Sequence, residues 1–64
     1  MTYTVSTIRA AGLVIVTEHV GEYERKDKAM AAAKKAAHTR RDCQTYGPSS
    51  LAYVGDEITA VVAW

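Results

Sequence analysis

The sequence predicts an α+β fold, a small antiparallel sheet of four to six strands with one helix packed on one face, in the order ββ(β)αβββ. Three features carry this. Arg25 to Arg41 has helical periodicity, the segments on either side are short β-branched or aromatic runs, and tight-turn signals separate those runs. At 64 residues the chain forms a single domain, 1–64.

Tyr3 to Arg9 is rich in Thr, Val, Ile and Tyr and reads as a strand. Ala10-Ala11-Gly12 reads as a hairpin loop, with Gly12 free to take the left-handed conformation. Leu13 to Val20 follows as a second strand. Its first four residues are apolar, which predicts a central strand covered on both faces. Gly21 then reads as a turn, and Glu22-Tyr23-Glu24 as a short third strand with Tyr23 pointing inward.

The helix is expected to be most regular from Lys28 to Ala37, where Ala, Lys and Met predominate and neither Gly nor Pro intervenes. Asp27 suits its N-cap or first turn, and Lys35, His38, Arg40 and Arg41 suit the negative end of its dipole. At about 100° per residue, Ala29, Met30, Ala33, Ala36 and Ala37 share one face, while Lys28, Lys34, Lys35, His38 and Arg41 share the other. An alanine face lets the helix lie close to the sheet, so the bulky side chains must come from the strands. Arg40 projects onto the apolar side, so either the helix ends before it or its stem snorkels.

Cys43 to Tyr46 reads as a strand, Gly47-Pro48-Ser49-Ser50 as a turn, and Leu51 to Val54 as the next strand. Gly55-Asp56 is a hairpin signal, and Glu57 to Trp64 is the last strand. That strand, too, is largely apolar on both faces. One helix covers only one face of a sheet, so the surplus apolar face predicts a partner surface. The candidate interface residues are Val14, Val16, Val61 and Trp64, and the partner expected first is a second copy. A chain of this size buries only about 60% of its unfolded surface, and dimerisation is an ordinary remedy.

Charge is uneven along the chain. Residues 25–41 hold seven Lys and Arg against one acid, Asp27; the rest holds Arg9 against six Asp and Glu. The segment is therefore +6 and the remainder −5, within a net charge of +1. Such polarity orients encounters with charged partners. Lys28, Lys34, Lys35, His38 and Arg41 form the candidate nucleic-acid face, able to neutralise phosphates. The ordinary alternative is a solvated helix face, since Lys and Ala are also plain helix formers.

The fragment AMAAAKKAAH resembles the second helix of double-stranded-RNA-binding domains, which carries a Lys-Lys-x-Ala-Lys run. Here Lys34-Lys35-Ala36-Ala37 lacks the final Lys, that family's leading helix is missing, and strands follow the helix. The family's function is not carried over.

For catalysis or metal binding the chain offers His19, His38 and Cys43, without ligand spacing and too few to close a structural zinc site. His38 and Cys43 could meet as base and nucleophile, but an inert small Cys is the commoner case. No phosphate-cradling Gly loop or nucleophile motif occurs. The expectation is thus a protein that is not an enzyme, with no cofactor and no metal. It would be a small binding or regulatory module acting through protein–protein contacts of its sheet, of the accessory or inhibitor kind found in bacteria and phages. The alternative is an electrostatic nucleic-acid binder using the helix. A lone Cys, no apolar leader and no long apolar run point to the cytoplasm, away from membranes.

Overall fold

The computed structural model describes every residue from Met1 to Trp64. The strands are β1 (Tyr3–Ala11), β2 (Val14–Tyr23), β3 (Gln44–Gly47), β4 (Ser50–Val54) and β5 (Ile58–Ala63), with the helix α1 (Lys26–Ala37) between β2 and β3. They form one antiparallel sheet in the order β2-β1-β5-β4-β3. The α+β expectation therefore holds, with five strands.

The helix packs mainly on β5 and β1, two of the three inner strands. Val5 and Val62 lie opposite each other in the register and are fully buried, together with Ala60 and Tyr53, against Ala29, Ala33 and Ala37. The alanine face thus brings the backbone of α1 close to the sheet, and the strands supply the volume. Tyr3, Tyr23, Met30, Ala36, Cys43 and Trp64 close the sides of this core. At one end Tyr3 and Trp64 stack in a tilted pair with ring centroids 5.5 Å apart, and the Lys26 ammonium lies 4.8 Å over the Trp64 ring.

Three expectations need correction. First, β2 is an edge strand, not a central one. Its apolar start lies at the tip of a hairpin that outruns its cover: ten residues of strand reach about 33 Å, twelve residues of helix about 18 Å. Leu13, Val14 and Ile15 are consequently exposed. Second, the chain does not turn at Gly21. The pairing steps from Val5–Gly21 to Ser6–His19, so Val20 is the extra residue of a β-bulge and Glu22-Tyr23 continue β2. Tyr23 does point inward, opposite Tyr3.

Third, the β1–β2 loop is Gly12-Leu13, closed by the Ala11–Val14 pair. The expected left-handed Gly12 is present at φ 66°, and positive φ at this first turn position alone is the type II′ pattern. Of the two places expected for Asp27, it takes the first turn, and the N-cap is Arg25, extended at φ −113° with no side-chain cap hydrogen bond. The helix ends at Ala37 because His38 turns left-handed at φ 54°, so Arg40 and Arg41 lie beyond it.

Candidate functional site

The cationic surface is built on the last turn of α1 and the segment after it. Lys34 and Lys35 project from that turn, where positive charge meets the negative end of the dipole. The left-handed His38 then swings the chain back. Its amide donates to the Lys35 carbonyl at 3.2 Å and that of Thr39 to the Lys34 carbonyl at 3.5 Å. The Arg41 amide donates to Thr39 Oγ1 at 3.2 Å, which pins the following turn.

This reversal folds Arg40 back beside the helix. Ala31, Lys34, Lys35, His38, Thr39 and Arg40 line one shallow, open groove. Of the five residues of the candidate nucleic-acid face, Lys34, Lys35 and His38 meet in it. Lys28 is exposed farther up the helix, and Arg41 is exposed just beyond the groove. The helix ends before Arg40, which is the first of the two outcomes expected for it, because the chain leaves the helix at the left-handed His38. The only usable sign of the break is His itself, which tolerates the left-handed region better than most side chains.

The groove's charge is uncompensated. The single ion pair of the molecule joins Arg25 Nε to Asp27 at 3.1 Å, and Arg25 Nη2 donates to the same carboxylate at 3.2 Å. That pairing occupies the only acid of the basic segment, two turns away. On the other side of His38 a second recess is lined by Ala37, His38, Asp56, Glu57 and Ile58, so the helix end separates a basic surface from an acidic one.

The candidate interface residues do not share one surface. By strand parity Val61 lies on the sheet face away from the helix, between Ser6 and Ala52. Val14 and Val16 pair with Ala11 and Arg9 and so lie on the helix side, with Val14 beyond the helix end. Trp64 is half-buried beneath Lys26. The uncovered sheet face has an apolar centre of Ile8, Ala52, Val54 and Val61 among Thr4, Ser6, Ser50 and Thr59.

Cys43 is half-buried beside Tyr53 rather than exposed in an electropositive cleft. Burial, then the neighbouring Cys43 and Asp42, raise the Tyr53 pKa above its ordinary value, so its hydroxyl is protonated at neutral pH and is no base for the thiol. No three His, Cys, Asp or Glu side chains converge where a metal ion could bind, and no helix is long and apolar enough to cross a membrane. Comparison with known proteins finds no match to a family model, to a curated protein or to a solved structure.

Proposed function

We propose that the chain is a small, non-enzymatic binding module that acts through protein–protein contacts of its sheet and is itself a homodimer. The observation that carries this is one-sided cover: α1 lies on one face, while the opposite face and the outer edge of β2 have nothing packed on them. The core is correspondingly small. Eight residues are buried, five of them Ala, and the largest fully buried side chains are Val5 and Val62. Association adds the apolar burial that such a core lacks, at roughly 25 cal/mol per Å² removed from water. The unpaired Cys43 suits a reducing compartment, in keeping with a cytoplasmic accessory or inhibitor protein.

Light scattering on the eluting protein tests the assembly. Twice the 7.0 kDa chain mass is expected at micromolar concentration, and a mass near 7.0 kDa in concentrated solution ends the homodimer reading.

A second reading rests on the unpaired cations of the groove at the helix end. Lys34, Lys35, His38 and Arg40 could follow a nucleic-acid backbone without reading sequence. Binding should then fall steeply with salt and vanish in the double variant Lys34→Glu/Lys35→Glu, with the fold retained. Failure to bind duplex and single-stranded probes at about 50 mM salt removes this reading.

A further inference from the structure

We infer that β2 pairs with β2 of a second copy, antiparallel about a two-fold axis at Ile15, joining the two sheets into one. This rests on the homodimer reading and names its surface: the outer half of the β2 edge, rather than the open sheet face.

The outer edge of β2 has no neighbouring strand. Proteins ordinarily protect such an edge with charges, bulges or Pro. β2 has these devices only in its inner half, where Glu18, the bulge at Val20 and Glu22 break any continued pairing. The outer half has none. Val14 and Ile15 there are 63% and 71% exposed, and Leu13 at the turn is fully exposed. Three of the six large exposed apolar side chains of the molecule are therefore consecutive, on the unguarded stretch of the β2 edge.

The register follows from matching side chains. A two-fold axis perpendicular to the sheet keeps the two helices on the same side, so residues that pair must share a face. With the axis at Ile15, Ile15 meets Ile15, Val14 meets Val16 of the second copy, and Leu13 lies over Thr17. No charged side chain enters. An axis at Val16 sets Val14 against Glu18, and one at Thr17 sets Val16 against Glu18 and Ile15 against His19. An axis at Glu18 opposes two carboxylates, which is destabilising. An axis at Val14 leaves only the Val14–Val14 pair within the strands, since Ile15 and Val16 then face the Gly12-Leu13 turn.

The second copy is the occupant because the segment complements itself in this register and the small core gains from it. Electrostatics permits it as well. α1 sits over β1 and β5, so at a strand spacing of about 4.8 Å the two basic helices are roughly 20 Å apart. That is well beyond the screening length of about 8 Å.

Cysteine cross-linking tests the axis. In a Cys43→Ser background, Ile15→Cys and, separately, Val61→Cys on the open face are oxidised at micromolar concentration. Residues facing across such an axis are close enough for a disulfide. The expected result is a covalent dimer from Ile15→Cys and little from Val61→Cys. In addition, Ile15→Glu should run as a monomer with an unchanged circular dichroism spectrum. Cross-linking through Val61→Cys alone, or equally through both, overturns the edge pairing while leaving the homodimer standing. A parent protein that is monomeric when concentrated overturns both.

Discussion

Gly55 sits where the β4–β5 turn runs against the end of the helix. Its amide donates to the Ile58 carbonyl at 2.9 Å, and a methyl group added to it would fall onto the Ala37 carbonyl and lie 2.7 Å from that of Ile58. Both obstacles are backbone, so neither can swing aside. Gly55→Ala should therefore reach or exceed the upper end of the about 1–3 kcal/mol typical of overpacking, read from thermal or urea melts. Gly12→Ala offers a control with a different cause. Nothing lies near the added methyl there, but φ is 66°, and the left-handed conformation costs a side chain about 1–2 kcal/mol. A smaller loss at Gly12 than at Gly55 is expected; the reverse order would show that the turn's conformation matters more than the helix's approach. The sequence marks both glycines as turn residues. It does not separate the two mechanisms, because only the fold brings the Ala37 carbonyl to Gly55.

The helix shows what periodicity can and cannot convey. Its apolar face was readable from Ala29, Ala33 and Ala37, all buried as the wheel requires, because side chains 3.6 residues per turn apart report the same surface. Ala33→Leu should accordingly overpack the sheet by about 1–3 kcal/mol, while Ala31→Leu on the exposed side stays near neutral. Equal shifts in melting temperature would mean that α1 can rotate on the sheet. For β2 the same kind of reasoning misplaced the strand. Leu13-Val14-Ile15-Val16 is apolar on both faces, but pattern alone does not distinguish a strand covered twice from one that projects beyond its cover. Strand order and the mismatch in length between hairpin and helix decide that, and neither is local. The basic groove was half legible for a similar reason. Lys34, Lys35 and His38 follow from the wheel, whereas Arg40 joins them only because the chain reverses at His38.

At the scale of the whole molecule, folding and association should be coupled. A core made of four Ala, two Val and one Tyr from the helix and three strands, with Ala52 buried separately on the opposite sheet face, is small for the conformational entropy of 64 ordered residues. If pairing of two copies supplies part of the missing burial, the native state binds a partner that the unfolded chain does not, and mass action then stabilises it as concentration rises. Each tenfold increase is worth about 1.4 kcal/mol per dimer. Divided over two chains of this length, it should lift the melting midpoint by roughly 5 °C. Melts between about 5 and 500 μM chain should therefore move upward by roughly 10 °C, and the Ile15→Glu variant should lose that dependence while melting at the lower end. A midpoint that does not move with concentration, in a cooperative melt, would mean that the one-sided core suffices by itself. The edge of β2 and the uncovered face would then be free for a different protein.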